Sequence, residues 1–264
     1  FTWKTSINFS TNKNKIVKLH DELKELVYGP TSFSSSYAMK LVKGGSIGDI
    51  YGYKLKRAPD GQVVWKDGIT ARTTEFEYVG NAYPAWKAGF SNEFSYKNFR
   101  VSILFDGQWG GIVYSQTHHK MTEHGTLKHT LKYRENPNFE VVGEGVMLDE
   151  RGQYVPNNVP ISVSKYYADY WRRANVETNS FDASFLKLRE ARIEYTIPSA
   201  GLNKIGIERL TLALYGRNLA MWTKDFPVYD PEVATLNNGT IVPGSEMGQL
   251  PSTRTMGFNL TLKF

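Results

Sequence analysis

The chain has 264 residues, no cysteine, 14% aromatic residues and a formal charge of +6. Without a thiol there is no disulfide framework, no Cys-ligated zinc site and no cysteine nucleophile. The 32 Lys and Arg are scattered, which fits solvated faces and excludes a basic nucleic-acid patch, and no apolar run reaches the ~18 residues of a spanning helix.

Period two, not 3.6, dominates the pattern. At the start Phe1, Trp3, Ile7 and Phe9 alternate with Thr2, Lys4, Ser6 and Asn8, and the polar turn TNKN follows. No basic n-region or apolar h-region of a signal peptide precedes this pattern. A chain that opens mid-pattern is expected to be a C-terminal piece of a longer one. Residues 15–28 carry Ile16, Leu19, Leu23 and Leu26, which suit a short amphipathic helix as well as a strand. Beyond Gly29-Pro30-Thr31-Ser32, SSYAMKLVK and SIGDIYGYKLK flank a turn at Gly44–Gly45, and a polar stretch spans about 58–83.

Trp86, Ala88, Phe90, Phe94 and Tyr96 then share a face against Lys87, Ser91, Glu93 and Ser95. YKN reverses the chain. Phe99, Val101, Ile103, Phe105 and Trp109 return against Arg100, Ser102, Asp106 and Gln108. An irregular region covers about 110–182. After it Ala191, Ile193, Tyr195 and Ile197 alternate with Glu190, Arg192, Glu194 and Thr196, PSAGLNK turns the chain, and Leu210, Leu212 and Leu214 face away from Thr211, Tyr215 and Arg217. A loop spans about 219–252. Met256, Phe258, Leu260, Leu262 and Phe264 close the chain on every second residue.

This gives about nine strands of roughly ten to fourteen residues, longer than the usual five or six and long enough to cross a bilayer when tilted. Long and short connections alternate, as in an up-and-down outer-membrane barrel and unlike a Greek-key sandwich. The fold class read from the chain is therefore all-β, a transmembrane antiparallel up-and-down β-barrel. An odd strand count places the rest of the barrel upstream. Parity assigns TNKN, Gly44–Gly45, YKN, PSAGLNK and the terminal Phe264 to the periplasmic rim. The aromatic-rich face is expected to meet lipid, with Trp86, Tyr96, Phe99 and Trp109 at its rims. Arg100, Asp106, Glu190, Arg192, Glu194 and Arg217 are expected to line the lumen, because a mid-depth charge on the lipid face costs about 2–4 kcal/mol. A soluble β-domain with this face in a dry core is the competing reading.

Four segments carry a resemblance. VGNAYPAWKAGFSNEFSYKNFRVSILFDGQWGGIVYS (79–115), FDASFLKLREARIEYTIP (181–198), LYGRNLAMWTKDFPVYDPEV (214–233) and QLPSTRTMGFNLTLKF (249–264) resemble, in order, late-barrel motifs of the SusC/RagA family of TonB-linked outer-membrane transporters. The resemblance implies a 22-stranded barrel filled by an upstream plug, which suits that strand number. In that scheme residues 1–264 are the C-terminal portion of one barrel domain in the outer membrane of a Bacteroidetes-type bacterium. It further implies import of oligosaccharides or peptides with a SusD-like surface lipoprotein, a possible dimer of such pairs, energy through TonB, and an assembly signal at Phe264. A passive porin or an adhesin-like barrel, or a soluble carbohydrate-binding domain, are the alternatives.

His118, His119, His124 and His129 cluster near Glu123, but their spacing fits no metal motif and reads as a polar external loop. SKYYADYWRRAN (164–175) gathers Tyr166, Tyr167, Tyr170, Trp171, Arg172 and Arg173. Aromatic and arginine anchors of this kind hold sugars or partner proteins, or pack a folded loop. Glu190, Arg192 and Glu194 read as solvating charges, not a catalytic dyad. No nucleophile elbow, P-loop or dinucleotide fingerprint is present, so the chain is read as a non-enzyme with no cofactor and no metal. NGT (238–240) matches a glycosylation sequon without meaning in a bacterial outer membrane.

Overall fold

Six long strands build one antiparallel sheet in the computed structural model, which describes residues 1–28, 36–198, 202–232, 235–237 and 240–264. They are β1 (Thr2–Thr11), β2 (Trp86–Tyr96), β3 (Phe99–Trp109), β4 (Phe185–Ile197), β5 (Arg209–Thr223) and β6 (Thr255–Lys263). Each pairs with its neighbour in the chain, so the sheet is an open meander with β1 and β6 at its edges. Part of the 198–204 turn, the 29–32 gap and most of the 238–240 sequon lie outside the described residues.

The strand count departs from the expected nine. Tyr37–Val42 and Asp49–Gly52 are strands, but they pair with Glu25–Tyr28 and Glu77–Asn81 in a separate four-stranded sheet. The reason is burial: Tyr37, Ala38, Met39 and Ile50 are all inside, so these strands have no apolar face left for lipid. Within 15–28 only Glu25–Tyr28 takes regular structure, as a strand. Counted on six strands, the connections run long (12–85), short (97–98), long (110–184), short (198–208), long (224–254). The parity rule survives, but TNKN and Gly44–Gly45 move to the loop-bearing end. There Gly44, at φ +89°, donates its N–H to Ile16 O at 2.8 Å. The turn at Lys97-Asn98 and the terminus at Phe264 stay at the opposite end.

Cross-strand register keeps the two faces separate. Ile7, Phe90, Phe105, Leu188 and Ala220 form one row, and Trp3, Phe94, Val101, Ile193, Leu214 and Phe258 another. Ile7 is 71% exposed, Leu214 63% and Phe258 78%. A continuous apolar face of this size in water would be an aggregation surface; in a membrane it is the required one. Two polar residues within it, Thr5 and Asn92, lie opposite each other; Thr5 Oγ1 donates to Ser91 O at 3.3 Å and Asn92 accepts from the Trp3 indole at 2.9 Å. Aromatics gather at both rims: Phe9, Trp86 and Trp109 stack at the loop-bearing end, and Phe99 with Tyr195 at the other. From Trp86 to Tyr96 the strand rises about 33 Å at ~3.3 Å per residue, and a ~40° tilt reduces this to about 25 Å, the height of an apolar barrel band.

The dry core lies in the loops, not against the sheet. Tyr37, Met39, Ile50, Tyr114, Val176 and Val242 make one cluster, and Trp65, Val141, Ile161, Val163 and Tyr167 a second. The three excursions interlock through short pairings, Val64 with Val146 and Tyr114 with Ser245, while Val113 pairs with Phe181 to close the base of the middle one. Two helices, α1 (Gln116–Glu123) and α2 (Val163–Tyr170), sit in the middle one. Each starts on a serine cap, with Ser115 Oγ accepting from His118 N and Ser162 Oγ from Lys165 N.

Candidate functional site

The polar face of the sheet is the candidate site, together with the loops that close over its end. The six charges expected to share a face do so. Arg100 lies opposite Glu194, Arg192 opposite Ser102, Asp106 opposite Lys187 and Glu190 opposite Arg217. Arg217 Nε donates to Glu190 Oε2 at 3.0 Å, and Arg100 approaches Glu194 at 3.7 Å. These pairs are partly exposed, so each contributes at most about 1 kcal/mol, and their main effect is a wetted, charge-balanced wall.

A tighter cluster stands at the loop-bearing end. At Arg189 the β4–β5 and β3–β4 registers slip by a bulge, opposite Asn218 at φ +51°. The slip switches parity: Leu186 and Leu188 face lipid before it, Ala191 and Ile193 after it. Lys187 and Arg189 are thereby turned to the polar face. Lys187 Nζ donates to both oxygens of Asp230 at 2.7 and 2.8 Å and to Glu232 Oε2 at 2.6 Å. Arg189 grips Asp106 through Nε and Nη2 and reaches both oxygens of Glu232 at 2.7 and 2.6 Å. The Lys187 and Asp230 side chains are each 3% exposed. Burial alone would raise the Asp230 carboxyl, but bonds from Lys187, Ser252 and the Glu232 N–H hold it below the usual range. The cluster moors the 224–254 excursion to the wall. Strict alternation over 185–197 puts Lys187 and Arg189 on the lipid side, which hid them; the change of phase between Leu188 and Ala191 was the available signal.

A second mooring point lies one layer further out. Glu246 is fully buried and accepts from the hydroxyls of Ser115, Thr117 and Tyr229 and from Gly248 N at 2.7 Å. Burial and this carboxylate push the Tyr229 hydroxyl up to about 12. Ser115 and Thr117 are thus held to Tyr229 and Glu246 at the start of α1.

The aromatic group of 164–175 forms α2 and its end. Trp65 stacks on Tyr166 and Tyr170, with ring centroids 6.0 and 6.1 Å apart, and Tyr167 stacks on Trp171 at 5.6 Å. Tyr167 is buried, its hydroxyl donating to His129 O or Lys132 O, both at 2.8 Å. Arg172 reaches Thr70 O and Asn175 Oδ1. These side chains therefore knit the middle excursion to residues 65–70. Tyr167→Phe is expected to weaken this knot by about 1–2 kcal/mol, because the two carbonyls that share this hydroxyl lose their donor. Faster hydrogen exchange across 163–170 would register it, and unchanged exchange would contradict it.

Nor do the histidines converge on a common centre. His118 Nδ1 meets Asn179 Oδ1 at 2.9 Å, His119 Nδ1 meets Trp171 O at 2.8 Å, and His129 Nε2 meets Thr122 Oγ1 at 3.2 Å. Among the described residues no group of three His, Asp or Glu side chains has a metal-holding arrangement. Burial lowers all three imidazoles, His118 to about 4.

No family model matches the chain. Along its whole length it is 27% identical to TonB-dependent receptor P3 and 28% to TonB-dependent receptor P26, both of Formosa agariphila. It spans 27% of the length of each. Among solved structures, the RagAB peptide transporter matches 99% of this chain and 27% of its own, with a TM-score of 0.64 at 18% identity. The RagAB peptide importer in its open-open state matches with the same TM-score at 19%. Along its whole length the chain is thus similar to TonB-dependent receptors, its fold is that of the matching RagAB segment, and its wall lies in the outer membrane.

Proposed function

We propose that residues 1–264 form the C-terminal part of the barrel wall, and the loops above it, of an active outer-membrane importer. The excursions 12–85, 110–184 and 224–254 face outward, and the charges from Arg100 to Arg217 line the substrate path. The observation that carries this reading is the division of one sheet into an exposed, aromatic-girdled apolar face and a charged face roofed by interlocked loops. A passive pore has no need of a roof moored by buried ion pairs. In this reading an upstream plug and TonB supply gating and energy, and a SusD-like surface lipoprotein pairs with the loops, two such pairs forming a dimer. The cargo is an oligomer, peptide or oligosaccharide. The likeness to a peptide transporter, RagAB, favours peptide, while the Tyr- and Trp-rich loops also suit sugar rings.

Uptake of labelled oligopeptides and oligosaccharides by cells carrying the intact protein, with and without TonB, tests this. Uptake of one class is expected, abolished when TonB is removed. Uptake that persists without TonB would make the protein a passive pore.

A further inference from the structure

The apolar face carries a hollow of about 490 Å³ just inside the loop-end girdle. Its floor lies on one cross-strand row, Phe9, Ala88, Gly107, Leu186 and Trp222, of which the last four line it. Small residues stand at the centre of that row. Stacked Trp86 and Trp109 wall it toward the rim on β2 and β3, leaving the β5 side of the rim open, and the Phe90 and Phe105 pair walls it toward mid-depth. Glycine at 107 is enforced, because a Cβ there would meet the Phe185 carbonyl oxygen at 2.5 Å. The hollow cannot be filled from that strand, and Ala88 leaves it open from the next.

At its mouth stands Lys224, half-exposed, with Nζ 5.3 Å from the Trp109 ring centroid and 2.6 Å from Asp182 Oδ2. An ammonium has three donors, so this pair leaves capacity for an anion at the depth where headgroups lie. The surrounding face is the one that meets lipid in the outer membrane, which identifies what covers the hollow. A slot lined by aromatic and branched walls, closed toward mid-depth and open toward a cation at the rim, matches a lipid chain hanging from its headgroup.

We propose that this hollow seats an acyl chain of an outer-leaflet lipid, with the lipid's anionic headgroup beside Lys224. The assignment to the outer leaflet rests on the outward orientation of the loops given above. The seat itself does not depend on transport, so a failure of either reading is separable from the other.

The test uses the intact protein purified from outer membranes, titrated with phosphatidylglycerol or phosphatidylcholine, with native mass spectrometry counting retained lipids. The wild type is expected to retain one phosphatidylglycerol in preference to phosphatidylcholine. Ala88→Phe fills the hollow from the lipid side and is expected to need about tenfold more lipid, the loss of roughly two buried methylenes. Heat-modifiable gel migration checks that the variant is folded, and Ala88→Leu replaces it if it is not. Lys224→Gln should retain a lipid but lose the preference for phosphatidylglycerol. Equal retention by wild type and a folded Ala88 variant overturns the seat; an unaltered preference in Lys224→Gln overturns the headgroup assignment.

Discussion

Replacing Lys187 with Met is expected to release the 224–254 excursion from the barrel wall while leaving the wall intact. The substitution keeps the length of the stem and removes the cation that two carboxylates share. Asp230, 3% exposed, is then buried without its ion partner, and Glu232 keeps only Arg189. Breaking a buried pair by removing one partner costs about 3–5 kcal/mol, much more than the pair contributes when intact, because the remaining charge is stranded. The loss should fall on the excursion, since β4 keeps its ladder to both neighbours. Hydrogen exchange over 224–232 should therefore accelerate by a hundredfold or more, with the β4 and β5 amides still protected. A Lys187→Met/Asp230→Leu double variant removes both ends and should recover most of the protection. Equal exchange in the single variant and the wild type would show that the cluster does not moor the loop. If the loops gate the substrate path, the single variant also changes uptake without changing surface level.

Acidification is expected to loosen the middle excursion, and the sign follows from His118. Its ring lies between His129, stacked at 5.3 Å, and Phe181, edge-on at 4.7 Å, with Asn179 on Nδ1. His119 is the neighbouring titratable group, itself beside Glu123, Lys120 and Arg173. Folded, His118 binds a proton only near pH 4; unfolded, it does so near 6.5. Between those values the opened state holds more protons, so stability falls as pH falls through the window. A separation of this size is worth about 3 kcal/mol below pH 4, with a smaller contribution of the same sign from His119 and His129. Protease sensitivity of 110–184 should rise between pH 6.5 and 4, and His118→Gln, which cannot take the proton, should flatten the profile. A profile that stays level from pH 7 to 4 in the wild type would refute this account.

The wall was legible in the sequence because five of its six strands keep one phase of alternation from end to end, and β4 keeps it from Glu190 to Ile197. Phe99 to Trp109 and Thr255 to Lys263 read in one pass. The short strands at 37–42 and 49–52 carry a similar composition but are buried on both faces, so period two cannot say which sheet they join. The same limit governed the site. Arg100, Asp106, Glu190, Arg192, Glu194 and Arg217 follow from parity alone. Lys187 and Arg189 do not, because one bulged residue inverts the count. Their partners in YDPE lie more than forty residues away, a distance over which spacing carries no geometry.

The interlocking of the excursions orders events in time. Every wall strand pairs with the one made just before or after it, so the sheet can grow hairpin by hairpin. The cluster of Tyr114 with Val242 is different: its two sides are separated by β4 and β5, and Tyr114 pairs with Ser245 only once both those strands have been laid down. Connectivity thus makes this part of the roof form after β4 and β5 have been made. Until then the two sides of this apolar cluster wait, unpaired, on the same side of the membrane, which makes the interval before Ser245 reaches Tyr114 a vulnerable one in the life of the molecule.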